Sequence, residues 1–161
     1  MKSLVLLRHA KSSWEYAVSD RNRPLLEKGI ERVQAVANAS KDTFESVEQF
    51  YSSPANRALH TATILMHELV ISSRLLEVDS TLYTFDATPL KSFVKSLPDK
   101  HNSVCLVGHN PALSVLAAEF SNNLTQHLPT AAWVKIIFAQ DNWESVKDGQ
   151  VTWGLPKQLL K

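Results

Sequence analysis

Two histidines and two arginines in this sequence stand just after short apolar runs. Leu4-Val5-Leu6-Leu7 leads into Arg8-His9, Val104-Cys105-Leu106-Val107-Gly108 leads into His109, and Phe50-Tyr51 leads through Ser52-Ser53-Pro54 to Arg57. An imidazole titrates near about 6.5. One neutral ring can therefore attack phosphorus while a second, protonated ring stabilises charge on the transferring group. Guanidinium groups bind phosphate oxygens bidentately. The four residues His9, Arg8, Arg57 and His109 suit a compact, multiply charged anion, and phosphate fits best. No metal or other cofactor is needed. His67, His101 and His127 show no ligand spacing. His60 lies one helical turn from Arg57, and a packing role is expected. Cys105, in the middle of an apolar run, reads as a buried small hydrophobe.

These side chains converge only if the elements before them are neighbouring strands. Residues 3–7, 48–52 and 103–107 read as short buried strands, with further strands at 75–78, 132–139 and, at an edge, 150–153. Apolar spacing predicts helices over 27–40, 53–70, 89–97 and 111–120. Residues 9–25 read as a polar loop and 143–149 as a turn or hairpin. Strands alternating with helices imply an α/β fold, a three-layer sandwich with a mostly parallel central sheet and helices on both faces. In such a sheet ligands bind beyond the carboxyl ends of the strands. Ser53 and Asn110 are candidate N-caps, with Pro54 and Pro111 at the first helical positions. Two helix starts would then add dipole charge to an anion site.

The bulk properties agree. The chain has 161 residues, enough for one domain with its own core, and no internal boundary is visible. Seventeen basic residues against sixteen acidic ones give a net charge of +1, without the excess expected for nucleic acid or an anionic membrane. A single cysteine excludes an internal disulfide, and with no targeting or membrane-spanning segment the expected location is cytoplasmic.

With these motifs in order, the chain resembles the histidine phosphatase superfamily, the phosphoglycerate-mutase-like fold. It is most similar to the short SixA-type phosphohistidine phosphatases. Arg8-His9 resembles the family's Arg-His-Gly signature, with Ala10 in place of the glycine. Ser52-Ser53-Pro54-x-x-Arg57-Ala58-x-x-Thr61-Ala62 resembles the second motif and Gly108-His109 the third. Asp20-x-x-Arg23-Pro24-Leu25 with Gly29, Leu128 to Ala132, and Pro156-Lys157 resemble further segments of the SixA-type group. The resemblance spans nearly the whole chain and implies one histidine phosphatase domain over residues 1–161. It makes His9 the nucleophile that accepts the phosphoryl group, with Arg8, Arg57 and His109 holding that group and water releasing it. Ala10 implies a backbone that needs no positive φ there.

Substrate choice turns on the general acid. Many family members carry a Glu or Asp before the third motif. Here that region offers Glu77, Asp79 and Asp86, none in a convincing motif. A protonated phosphohistidine ring can leave as neutral imidazole, so a weak acid favours that substrate. The expected partner is a phosphorylated protein, such as a histidine-containing phosphotransfer domain, with a small phosphorylated metabolite or a non-catalytic phosphate-binding adaptor as alternatives. Arg23 reads either as a surface arginine paired with Asp20 or as a lip residue touching phosphate or substrate. Trp14, Tyr83 and Phe85 read either as ordinary packing or, as the resemblance implies, as pocket-rim residues. The short chain leaves little for a lid, so a shallow, open pocket is expected.

Overall fold

Alternation along the first strand sets the layers of the molecule. In the computed structural model, which describes residues 1–161, β1 spans Lys2–Arg8. Its Leu4 and Leu6 point to one face of the sheet, Val5 and Leu7 to the other, and all four are buried. A strand buried on both faces lies inside a sheet covered by helices on both sides.

Six strands form that sheet. After β1 come β2 (Gln49–Ser52), β3 (Leu76–Val78), β4 (Ser103–Gly108), β5 (Trp133–Phe138) and β6 (Gln150–Gly154), in spatial order β3-β2-β4-β1-β5-β6. The four strands from β3 to β1 run parallel, whereas β5 and β6 run antiparallel to their neighbours. The sheet is thus mostly parallel. Only β5 runs against the other strands, and residues 139–149, which join it to β6, turn the chain back and bury the Trp143 side chain.

The helices are α1 (Glu27–Ala39), α2 (Lys41–Glu45), α3 (Asn56–Glu68), α4 (Ala87–Lys95), α5 (Ala112–Ser121) and α6 (Pro156–Leu159). Val33, Val36, Phe44, Ala58, Ala62 and Leu65 of α1 to α3 cover one face. Leu90, Val94, Leu113, Leu116 and Phe120 of α4 and α5 cover the other. Each Val, Leu or Phe among them contributes roughly 1.5–3 kcal/mol when taken from water. The five-residue α2 was not legible in the sequence, because it presents a single apolar anchor, Phe44. No helix is long and apolar enough to cross a membrane.

Two helix starts differ from expectation. The helices begin at Asn56 and Ala112, with Ala55 and Pro111 as N-caps and no side-chain cap bond. Pro54 and Pro111 precede the helical residues. Ser53 Oγ still accepts from the Ala55 N–H and Asn110 Oδ1 from the Ser114 N–H, both at 3.2 Å, so the two side chains serve the helix starts from just outside the helices. Helix α4 begins two residues early, because Asp86 accepts a hydrogen bond from the Thr88 N–H at 2.9 Å and fixes the start.

Candidate active site

The ends of β2, β4 and β1 are adjacent, so the three motifs meet. Arg8 is the last residue of β1 and lies in register with Gly108 of β4. The next residue, His9, donates its backbone N–H to the Gly108 carbonyl at 3.1 Å, and Ser53 donates to the Val107 carbonyl at 3.0 Å. The imidazoles of His9 and His109 stand 5.3 Å apart, centre to centre. Both are buried, at 8% and 1% exposure.

Local hydrogen bonds fix the proton on each ring. His9 Nδ1 is 2.7 Å from the Ala10 carbonyl oxygen, which can only accept. Nδ1 therefore carries the proton and Nε2 the lone pair. His109 Nε2 is 2.8 Å from Ser53 Oγ. That oxygen already accepts from the Ala55 N–H at 3.2 Å, and its own proton has no acceptor besides His109. Ser53 thus donates to Nε2, which places the His109 proton on Nδ1. Burial, reinforced by the charges of Arg57, Arg8 and Arg23, outweighs the Ala10 hydrogen bond and holds His9 down at about 4. Burial, then His9 and Arg57, push His109 down to about 3. Both rings are therefore neutral near pH 7. The sequence reading has the second imidazole protonated during transfer, whereas burial here favours the neutral ring.

The arginines are held by carbonyls and one carboxylate. Arg8 Nη1 donates to the Leu128 carbonyl at 3.0 Å, which also accepts from Asn110 Nδ2 at 2.9 Å. Asn110 Oδ1 accepts from the Ser114 N–H at 3.2 Å. Arg57 donates through Nη1 to the Asp20 carbonyl at 2.7 Å and through Nη2 to Asp20 Oδ2 at 3.0 Å. Arg23 reaches Asp20 Oδ1 at 3.2 Å, the Ser13 carbonyl at 3.1 Å and Ser12 Oγ at 2.6 Å. The Trp14 ring stacks on its guanidinium at 3.2 Å. Arg23 is thus both paired with Asp20 and part of the cleft wall, at only 8% exposure.

Asp20 is the residue that sequence reasoning undervalued. Tyr83 donates its hydroxyl to Oδ2 at 2.6 Å, so one carboxylate accepts from Tyr83, Arg57 and Arg23. These bonds overcome the cost of burial and hold its pKa down at about 2. Its sequence signal is only the Asp-x-x-Arg spacing. Thr61 was likewise visible as a motif letter without a role. Its hydroxyl accepts from the Ala10 N–H at 2.9 Å and donates to the Arg57 carbonyl at 2.6 Å, joining the first motif to the second. Ala10 keeps a negative φ, as expected.

Arg8, His9, Ser12, Trp14, Asp20, Arg23, Arg57 and Phe85 are among the residues lining a cleft of about 360 Å³. His109 lies behind that surface. The rings of Tyr83 and Phe85 lie 5.4 and 5.7 Å from His109, while Trp14 and Phe85 stand exposed at the lip. Five buried side-chain N or O atoms in the molecule lack a hydrogen-bond partner, and Arg8 Nε, Arg57 Nε and His109 Nδ1 are three of them. A buried donor left without an acceptor costs about 1–3 kcal/mol. All three belong to site residues, and an anion's oxygens would satisfy them. Asp79 and Asp86 are occupied as caps of the turn at Ser80–Leu82 and of α4, and Glu77 lies exposed on β3. None of the three lines the cleft. His60 is exposed on α3 in a neighbouring depression with Pro24, Asn56, Leu59 and Thr63, so it neither packs in the core nor reaches the cleft.

A family model described as the histidine phosphatase superfamily (branch 1) matches residues 4–84, half of the chain, and includes Arg8, His9 and Arg57. The chain belongs to the histidine phosphatase superfamily. This family member is 24% identical over 154 residues to an uncharacterized protein of Mycobacterium tuberculosis, covering 89% of this chain and 93% of the relative. Its fold matches the protein histidine phosphatase SixA in complex with tungstate, with a TM-score of 0.84, 24% identity, and coverage of 98% of this chain and 99% of that one. A phosphohistidine phosphatase SixA named from Agrobacterium tumefaciens aligns with a TM-score of 0.76 at 23% identity, over 85% of this chain and 92% of that one. The mycobacterial glucosyl-3-phosphoglycerate phosphatase aligns with a TM-score of 0.69 at 18% identity, over 94% and 97%.

Proposed function

We propose that residues 1–161 form a single phosphatase domain that releases phosphate from a protein phosphohistidine through a phospho-His9 intermediate. The observation that carries the reading is the group of partnerless donors, Arg8 Nε, Arg57 Nε and His109 Nδ1, beside a neutral His9. His9 Nε2 attacks phosphorus and its lone pair forms the new P–N bond. The substrate's P–N bond breaks, and its imidazole, protonated on the distal nitrogen, leaves neutral. Arg8, Arg57 and His109 donate to the phosphoryl oxygens, and Arg23 does so from the lip. Water then attacks the phospho-His9 phosphorus, restoring His9 and releasing inorganic phosphate.

Two features favour phosphohistidine over a sugar or alkyl phosphate. The carboxylate that lines the cleft is Asp20, and with a pKa near 2 it carries no proton to give an alkoxide. Only residues 79–86 lie between β3 and α4, too few for a lid that would enclose a small metabolite. The test is turnover of phosphohistidine proteins, aryl phosphates and alkyl phosphates by wild type and His9→Ala. Turnover should follow leaving-group quality, and His9→Ala should be inactive with its fold intact. An active His9→Ala enzyme would sink the mechanism, and a preference for alkyl phosphates would sink the substrate.

A further inference from the structure

A second depression adjoins the phosphate cleft, and Thr130 belongs to the walls of both. It measures about 290 Å³ and presents Arg32 of α1 and Lys157 of α6, two helices that pack together. Lys28 precedes Arg32 by one helical turn. Lys11, a residue of the phosphate cleft, packs against the start of α1, its carbonyl accepting from the Leu26 N–H at 2.9 Å and facing Gly29, and its side chain lowers the pKa of the neighbouring Lys28. Lys11, Lys28, Arg32 and Lys157 are all exposed, and none makes an ion pair. Glu27 and Glu31 share α1 with two of them, and neither pairs with a cation. The one carboxylate in either lining is Asp20, already occupied by Arg57, Arg23 and Tyr83. In a chain of net charge +1, an unneutralised basic strip therefore leads outward from the phosphate site.

We propose that this strip, from Lys11 through Lys28 and Arg32 to Lys157, docks an acidic face of the phosphorylated protein whose phosphohistidine enters the cleft. The proposal rests on the phosphohistidine reading above. Charge complementarity selects the partner. Four separate exposed cations on two helices and a loop match a surface, whereas a ligand filling the cleft would touch only Lys11. Exposed charges of this kind act mainly on encounter, so their mark is a rate that falls with salt.

The test uses an acidic phosphotransfer domain, phosphorylated on histidine with phosphoramidate, and p-nitrophenyl phosphate as a small control. Lys28→Glu/Arg32→Glu/Lys157→Glu should lower kcat/KM for the phosphoprotein by about tenfold at low salt and flatten its salt dependence. Turnover of the aryl phosphate should stay unchanged. The neutral variant Lys28→Gln/Arg32→Gln/Lys157→Gln should give a smaller loss of the same kind. Unchanged kcat/KM and salt slope for the phosphoprotein would overturn the docking strip while leaving the phosphohistidine reading intact. Equal losses on both substrates would also overturn it, because the charges would then act on the phosphate cleft itself. A wild-type enzyme that hydrolyses the aryl phosphate but no phosphohistidine protein would remove the phosphohistidine reading, and the strip with it.

Discussion

Acid separates His9, the proposed nucleophile, from an ordinary histidine. Burial is the main force that lowers His9 to about 4, and only its neutral form has the Nε2 lone pair. At pH 5.5 a ring titrating at 6.5 is about 9% neutral, whereas one titrating at 4 is about 97% neutral, so the reactive fraction differs roughly tenfold. The sign follows directly. Lowering the pH protonates His9 and removes activity, but only as the pH approaches 4. The assay is kcat/KM for p-nitrophenyl phosphate across pH, which reports the free enzyme, divided by the substrate's own ionisation followed by phosphorus NMR. The corrected acid limb should lie well below 6. Because His109 is also neutral, no basic limb should appear near 6.5, and the profile should be a plateau there rather than a bell. Arg57→Met should shift the acid limb upward, since that charge helps to lower His9, yet leave it below 6.5 because burial is the larger cause. An acid limb at 6.5 in wild type would refute the buried, neutral nucleophile.

Three further changes test the supports of the site. Gly29→Ala places a methyl group against the Lys11 carbonyl oxygen, which also accepts from the Leu26 N–H at 2.9 Å. It should cost about 1–3 kcal/mol in urea unfolding and weaken tungstate binding, because the segment carrying Lys11 and Ser12 must shift; equal tungstate affinity would show the segment to be independent of α1. Ser53→Ala leaves His109 Nε2 buried and unpaired and should cost about 1–3 kcal/mol of stability, with a fall in kcat rather than in KM alone. Val70→Gly should stabilise by about 1 kcal/mol and raise Tm by roughly 2–4 °C in calorimetry, because Val70 sits at φ 55 just past α3 and is 91% exposed. A lower Tm would show that its side chain contributes more than its backbone strains.

The sequence made β1 and β4 legible because a strand buried on both faces reads as an unbroken apolar run, whereas β2 shows only Phe50 and Tyr51 between Gln49 and Ser52. It showed β5 as a strand but not its direction, since antiparallel pairing with β1 leaves no mark in a six-residue apolar segment. The expected site residues His9, Arg8, Arg57 and His109 come together because Arg8 ends β1, His9 and His109 follow β1 and β4, and Arg57 lies in the first turn of α3 beyond β2. Their supports were not legible. Asp20 finds Arg57 and Tyr83 far along the chain, and Asn110 finds the Leu128 carbonyl, through contacts that obey no local spacing. Local rules assigned Ser53 and Asn110 to helix capping, and their oxygens do accept from the Ala55 and Ser114 N–H groups, but their bonds to His109 and to the Leu128 carbonyl obey no local rule.

The first strand of the chain lies between two that are made much later. β1 pairs with β4, which begins at Ser103, and with β5, which begins at Trp133. Beyond its end, the Arg8 and His9 carbonyls both accept from the Ala131 N–H, at 3.2 and 3.1 Å. On a ribosome adding about 5–20 residues per second, His9 emerges early and then waits without its sheet partners. A nascent chain of this protein has no formed cleft around His9 until β4 and β5 have left the exit tunnel. Phosphatase competence therefore waits for β5, and a fragment ending before that strand carries His9 without the cleft proposed to make it a nucleophile.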